Sequence, residues 1–247
     1  MDRSGIFDMH CHIIPEVDDG AKSEQEAAKI LEREYDQGVR KIILTPHYRK
    51  GMFETSRRIV REQFELVKYL AERTGEGIEA YLGCEFHVNM DMLQMIRRDT
   101  SYTMVESKYV LVEFEKDVQK KYMKERLYSL IAGGYKPVIA HIERYRSCRN
   151  DVELIREVAD MGARIQVNAD SVLGKEGFMT RWFCGCLLKE NLVDFIGSDC
   201  HGSIERISRI GETYEFVGRK CGTDYADVIF RENPQKILDN AEAGKRL

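Results

Sequence analysis

Short apolar runs recur along this chain at 6–10, 40–45, 79–84, 109–113, 137–141, 164–168 and 194–198, with stretches of helical periodicity between them. This alternation constrains the fold more than any other feature. Strands separated by whole helices rather than tight turns pair in parallel, because each helix carries the chain back across the sheet before the next strand begins. Seven such units predict an α/β fold whose parallel sheet closes as a barrel. The segments between strands carry helix end signals. Ser23-Glu-Gln-Glu26 fits a capping box, and Asn233-Pro234 reads as an N-cap followed by proline in the first turn. Gly38, Gly133-Gly134 and Gly162 follow periodic stretches at the place where a left-handed residue closes a helix.

A chain of 247 residues buries a sizeable core without disulfide help and is read as one domain over 1–247. The formal charge of -4 gives no basic excess to draw it to phosphate backbones, so nucleic acid is not an expected partner. Seven cysteines, an odd number without regular pairing and with no secretory leader before them, predict reduced thiols in a cytoplasmic protein. No apolar run approaches the roughly 20 residues that span a bilayer, so no direct membrane insertion is expected.

The ends of the strands carry the chemistry. His10 and His12 close the first, His47 follows the second, Glu85 the third, Glu113 the fourth, His141 the fifth, and Asp199 with His201 the seventh. In α/β barrels this C-terminal face is where active sites are assembled, and core histidines placed by chance have no reason to choose it. Alternate strand residues share a face, so His10 and His12 point the same way and can grip one cation. Imidazoles mixed with carboxylates and no paired thiolates suit Mn, Fe or Zn at a hydrolytic centre better than a closed structural zinc. The donors are too many for one ion. A cluster of cations activates water and clamps the oxygens of a transferring phosphoryl group, which makes phosphoester hydrolysis the natural chemistry. Asp18-Asp19-Gly20 lies in the loop after the first strand and is either a turn or a further ligand, and spacing alone does not choose between its aspartates. Asp8, one step deeper on the same face, suits a partner orienting a histidine.

Taken together, the HxH start, the DDG loop, Thr45-Pro-His47-Tyr-Arg-Lys-Gly-Met-Phe53, Gly83-Cys-Glu85, Val138-Ile-Ala-His-Ile-Glu-Arg-Tyr145 and Ser198-Asp-Cys-His201 resemble the polymerase-and-histidinol-phosphatase (PHP) superfamily. The HIERY and RKGMFET stretches are more narrowly similar to its bacterial tyrosine-protein phosphatase branch, associated with capsular and exopolysaccharide synthesis. The resemblance runs over nearly the whole chain. It implies a distorted seven-stranded TIM-like barrel with a trinuclear, usually manganese-dependent, centre. His10, His12, Glu85 and Asp199 would hold the first ion, Glu85, Glu113 and His141 the second, and Asp19, His47 and His201 the third. Arg144 would bind the substrate phosphate, and Arg206 would do likewise or assist the leaving group. The implied substrate is a tyrosine-phosphorylated protein, and the implied partner a tyrosine kinase of polysaccharide export. The oligomeric state is left open.

Arg49 and Lys50 read as a positive rim for an anionic substrate, with Met52 and Phe53 as an apolar wall for an aromatic ring; His87 reads as a satisfied rim histidine. Rival readings are a second phosphoesterase of the same superfamily, such as a histidinol-phosphate phosphatase, and a metal-stabilised module that binds phosphorylated partners without hydrolysing them. A third rests on Cys200-His-Gly-Ser-Ile-Glu-Arg206, which matches the Cys-x5-Arg loop of thiol-dependent phosphatases. Strand parity opposes it. With Asp199 and His201 facing the metals, Cys200 faces the helices, and the same parity sends Cys11 and Cys84 outward as packing residues.

Overall fold

A computed structural model describes residues 5–245. The outer ends of the predicted domain, 1–4 and 246–247, lie outside the described residues. Strands and helices alternate: β1 (Ile6–Cys11), α1 (Glu24–Asp36), β2 (Val39–Leu44), β3 (His47–Tyr48), α2 (Arg57–Ala71), β4 (Glu79–Leu82), β5 (Glu85–His87), α3 (Met92–Arg98), β6 (Tyr109–Glu113), α4 (Lys120–Ala132) and β7 (Lys136–Ile139). Then follow α5 (Val152–Asp160), β8 (Arg164–Asn168), α6 (Ala169–Leu173), α7 (Phe178–Lys189), β9 (Phe195–Gly197), α8 (Ile210–Cys221), α9 (Thr223–Asp227) and α10 (Asn233–Lys245).

Every strand pair within the two sheets is parallel, in the orders β1-β2-β4 and β3-β5-β6-β7-β8-β9. Together they form a curled parallel sheet. Nine strands replace the seven predicted because the second and third runs are each interrupted. Thr45-Pro46 separates β2 from β3, where proline has no N–H for the ladder, and Gly83-Cys84 separates β4 from β5. The gap is local, since Gly83 N still donates to Leu44 O at 2.7 Å and Glu85 N to Pro46 O at 3.1 Å. Arg57, buried in the first turn of α2, donates to Gly83 O at 3.1 Å and fixes the break in the third run. At the far edge, Asp199 N donates to His10 O at 2.8 Å and His12 N to Cys200 O at 2.9 Å, so the chain after β9 lies against the end of β1.

The apolar residues divide between two faces. Ile42, Leu44, Val110, Val112, Ile139 and Ile165 face outward onto helix residues such as Ile30, Phe64, Leu127 and Val158. Met9, Ile43, Leu111, Val138 and Phe195 form an inner cluster, which Met104 and Ile237 of α10 join. The polar ends of the strands lie beyond it. Period-two alternation with both faces buried is what a parallel sheet under helices requires.

Two helix signals resolve differently from expectation. Ser23 caps α1 by accepting from Glu26 N at 3.2 Å, but the Glu26 carboxylate takes the N–H of Lys22 rather than that of Ser23. Asn233 is not an N-cap. Its backbone is already helical, a π-helical turn over Val228–Glu232 runs straight into α10, and its side chain donates to Asp194 O at 2.9 Å. The wide turn accommodates Pro234, whose ring and missing N–H a regular helix interior would not. Of the glycine pair after α4, Gly133 stays right-handed and Gly134 takes the left-handed position at φ 85.

Candidate metal centre

The strand ends bring four ligand atoms onto one point. His10 Nε2 lies 3.2 Å from Glu85 Oε2 and 3.5 Å from Asp199 Oδ1, and His12 Nε2 stands at the same distances from the same two oxygens. The two nitrogens are 3.3 Å apart, and all four side chains are buried. Two further groups share members with this one: His12 with His47 and His201, and Glu85 with His47 and Glu113. Within each group the ligand atoms fall inside 4.8 Å of one another. Sheet register produces this convergence, pairing His47 with Glu85 across β3 and β5 and placing Glu113, the last residue of β6, opposite His87, two residues on from Glu85. His141 joins through Glu85, its Nε2 being 2.8 Å from Oε1 and 3.8 Å from Glu113 Oε1. Asp19 Oδ1 stands 3.5 Å from both His47 Nε2 and His201 Nε2. His141 and Asp199 both take positive φ, 32° and 53°, two residues past the ends of β7 and β9, a sparsely populated backbone conformation.

Partners outside the cluster set the tautomers. Gln166 Oε1 accepts from His10 Nδ1 at 3.2 Å and from His141 N at 2.7 Å, while its amide nitrogen donates to Val167 O and Asn168 Oδ1, an arrangement that allows only one orientation of the amide. His10 therefore keeps its proton on Nδ1 and presents a bare Nε2 to Glu85 and Asp199. Asp18 Oδ2 does the same for His12 through Nδ1 at 2.9 Å and also receives His47 N, and the Asp199 carbonyl takes His201 Nδ1 at 2.9 Å. Orienting partners of this kind raise the basicity of a metal-bound imidazole. The two sequence readings of the DDG loop are thus divided between its residues. Asp18 makes the turn, accepting from Gly20 N at 2.9 Å, and Asp19 reaches toward His47 and His201. Gly20 is demanded by close approach, since a Cβ there would stand 2.2 Å from His12 O.

The residues fit divalent cations. Glu85 Oε2, His47 Nδ1, His141 Nδ1 and His201 Nε2 are buried polar atoms without a hydrogen-bond partner, and such atoms in one place are costly unless a ligand satisfies them. Burial, with the neighbouring His12, holds His47 down to about 4 and lowers His201 as well, which leaves both rings neutral with a lone pair to give. Burial and the Glu85 carboxylate push Glu113 up to about 7, a repulsion that a cation between them would reverse. Against burial, His10 and His47 hold Glu85 well below the usual carboxylate range.

Two arginines stand at the rim. Arg144 NH1 pairs with Asp199 Oδ2 at 2.6 Å, and Arg206 NH2 reaches the same oxygen at 3.4 Å while its NH1 lies 3.5 Å from Asp19 Oδ2. Arg144 is 28 % and Arg206 44 % exposed, so solvent reaches both. The rest of the HIERY stretch is scaffolding. Glu143 accepts from Asn168 N at 3.0 Å, and the fully buried Tyr145 hydroxyl donates to Ala140 O and accepts from Phe114 N, tying β6, β7 and β8 together behind His141.

Some expectations are corrected. Asp8 does not orient a histidine ring. A register shift between Asp8 and Cys11 turns it out of the site, so that Met9 enters the inner cluster and Asp8 meets Glu34 of α1 and Cys200. There it binds the backbone N–H of Ser198 at 2.9 Å and that of His10 at 3.3 Å. The residue that orients the His10 ring is Gln166, which the sequence reading missed; its polarity within an apolar strand was the available signal. Arg49 and Lys50, read as a positive rim, are paired with Glu115 at 2.6 Å and Asp91 at 3.3 Å at the surface. His87 lies outside the clusters, 3.4 Å from Glu115, with a buried Nε2 that makes no hydrogen bond. Cys11, Cys84 and Cys200 are buried in the outer apolar cluster, with burial raising the thiols of Cys11 and Cys84. Cys200 Sγ faces Glu34 at 3.5 Å while Arg206 lies over the carboxylates, so the Cys-x5-Arg spacing builds no anion cradle.

Comparison with known proteins matches this arrangement to a family. The solved structures of YwqE from Bacillus subtilis and CpsB from Streptococcus pneumoniae, described as unique metal-dependent tyrosine phosphatases, include a chain that superposes with a TM-score of 0.82 at 29 % identity, covering 96 % of this chain and 93 % of that one. The phosphotriesterase homology protein of Escherichia coli, at 12 % identity and a TM-score of 0.62 over 96 % of this chain and all of the other, shares the fold alone. Tyrosine-protein phosphatase CpsB of Streptococcus agalactiae serotype III is 36 % identical over 244 residues, 95 % of this chain and 99 % of the relative. Tyrosine-protein phosphatase YwqE of Bacillus subtilis is 28 % identical over 235 residues, 95 % of this chain and 92 % of the relative. Since the profile described as capsular polysaccharide synthesis, CpsB/CapC, matches residues 6–239, nearly the whole length over which the sheet and its polar ends are built, the chain belongs to the CpsB/CapC family.

Proposed function

We propose that this protein is a metal-dependent tyrosine-protein phosphatase that hydrolyses phosphotyrosine on proteins of capsular or exopolysaccharide synthesis. The observation that carries the reading is the convergence of His10, His12, Glu85 and Asp199, with buried atoms of Glu85, His47, His141 and His201 left unpartnered around it. The ligand sets are those implied by resemblance: His10, His12, Glu85 and Asp199 for one ion, Glu85, Glu113 and His141 for a second, Asp19, His47 and His201 for a third. Manganese is the preferred metal, because harder nitrogen and carboxylate donors without thiolates suit it. When bound, the cations polarise phosphoryl oxygens and lower the pKa of water.

The chain's own groups do the rest. Gln166 and Asp18 hold His10 and His12 in the tautomers that leave Nε2 free. Arg144 and Arg206, already directed at Asp199, supply planar donors to the equatorial phosphoryl oxygens, where charge accumulates in the transition state. Burial of the cluster excludes bulk water and strengthens each of these interactions. No cysteine nucleophile and no covalent phosphoenzyme take part.

The finer architecture belongs to the same proposal. The interrupted runs β2/β3 and β4/β5 each count as one stave of a distorted seven-stranded barrel, which the hydrogen bonds between β1 and the residues after β9 support. We read residues 1–247 as one catalytic domain. Its seven unpaired cysteines suit the cytoplasm, and none of its described helices is long and apolar enough to cross a membrane. A tyrosine kinase of polysaccharide export is the partner we infer. The test couples metal analysis of the purified protein to phosphate release from a phosphotyrosine peptide, with histidinol phosphate as comparison. Loss on chelation with rescue by Mn supports the reading. Activity in metal-free protein, or a preference for histidinol phosphate, would overturn it.

A further inference from the structure

The turn that follows β3 is built more firmly than a substrate-side loop needs to be. Arg49 N donates to Phe53 O at 2.9 Å and Phe53 N to Arg49 O at 2.8 Å, closing a small antiparallel hairpin, with Met52 N also on Arg49 O and Gly51 at φ 80 supplying the left-handed turn residue. Its base is packed, Tyr48 lying against Phe86 and Tyr102 at ring separations of 4.9 Å. Its exit is fastened as well, Thr55 Oγ1 donating to Val17 O at 2.8 Å in the loop after β1.

The charged residues of the hairpin are directed to Glu115 and Asp91. What it offers the site is apolar. The Phe53 ring lies nearly parallel to the His47 imidazole, 11° apart in plane and 5.3 Å between centroids, and Met52 stands beside it 61 % exposed. His10, His12, Glu85 and Asp199 are buried, whereas Asp19 is 46 %, Glu113 19 % and His47 11 % exposed, so the centre opens to solvent on the side of these three. On that side one face of the His47 ring is covered by Phe53.

We propose that Phe53, with Met52, forms the subsite for the aryl ring of the substrate and makes the centre prefer aryl over alkyl phosphates. The inference rests on the proposed phosphotyrosine hydrolysis and assigns its selectivity to specific side chains. Offset ring packing between Phe53 and a phenolic ring supplies a preference that an alkyl ester cannot claim.

Two phosphonates that resist hydrolysis make the test independent of turnover. Binding of phenylphosphonate and of methylphosphonate to Mn-loaded protein is measured by calorimetry for the wild type, Phe53→Ala, Phe53→Leu and Met52→Ala. Phe53→Ala should weaken phenylphosphonate about threefold to tenfold, the scale of one aromatic pair, and leave methylphosphonate unchanged. Phe53→Leu should fall between, and Met52→Ala should move the same ratio less. If Phe53 only props His47, both ligands weaken together and the subsite is refuted; an unchanged ratio refutes it equally. A wild type that binds phenylphosphonate in this Phe53-dependent way yet releases no phosphate from phosphotyrosine would sink the proposed activity while leaving the aryl subsite in place.

Discussion

Gln166→Leu tests whether the centre is organised from behind. The side chain is fully buried, and its Oε1 alone accepts both His10 Nδ1–H at 3.2 Å and the His141 backbone N–H at 2.7 Å. Leucine fills nearly the same volume and removes both acceptors. Each buried donor left unpaired costs about 1–3 kcal/mol, so the metal-free fold should lose roughly 2–6 kcal/mol, reduced by whatever the added apolar contacts return. The His10 ring also loses the bond that selects its tautomer, and partners of this kind are worth about tenfold to a hundredfold in metal affinity, or roughly 1.4–2.8 kcal/mol. Urea unfolding of the metal-free protein measures the first quantity, and Mn titration against a competing chelator the second. A variant with affinity within twofold of wild type and an unchanged unfolding midpoint would refute the argument that Gln166 positions the ligands.

The other predictions follow from the same geometry. Gly197→Ala would place a Cβ 2.5 Å from His10 Cβ, and overpacking there should cost at least about 1–3 kcal/mol while displacing a ligand; thermal unfolding and phosphate release should fall together, and normal values for both would contradict the close packing of β9 on β1. Cys200→Ala should keep most of the activity at a stability cost of about 1 kcal/mol, whereas abolition combined with chelator resistance would restore the thiol mechanism. Burial, then the charges of Asp8 and Cys200, raises the Glu34 carboxyl well above its ordinary range. A carboxyl raised in the folded state contributes stability that is present below its unfolded pKa and lost as pH rises through the folded value. Glu34→Gln should therefore flatten the decline in unfolding midpoint from the ordinary carboxylate range upward; an unaltered pH slope would show that Glu34 does not carry it.

The strand ends were legible because the signal is local. Four consecutive buried apolar residues, Tyr109 to Val112, followed by a carboxylate identify β6 and Glu113 without reference to the rest of the chain. Where two local rules competed, reading failed. Asn233-Pro234 carries the dipeptide of a helix start, yet the preceding π turn makes it mid-path, a choice set by the packing of Ile229 and Phe230 in the core. Asp8 kept the parity of His10 on paper and lost it to a register shift, which depends on how β1 pairs with β2. The ion pairs of Arg49 and Lys50 were not legible because their carboxylate partners lie 66 and 41 residues away.

By itself the sequence determined that this chain would pair its strands in parallel and follow them with histidines and carboxylates. The direction of a strand and the side of its side chains follow from covalent geometry, and crossover helices leave one face for the loops. Only the tertiary structure decided which nitrogen of His10, His12 and His201 is free, which aspartate of the DDG loop turns and which reaches inward, and that Phe53 covers one face of His47. These depend on hydrogen bonds and ring contacts between distant segments, such as the 156 residues that separate His10 from Gln166, and no local pattern encodes a partner that far along the chain.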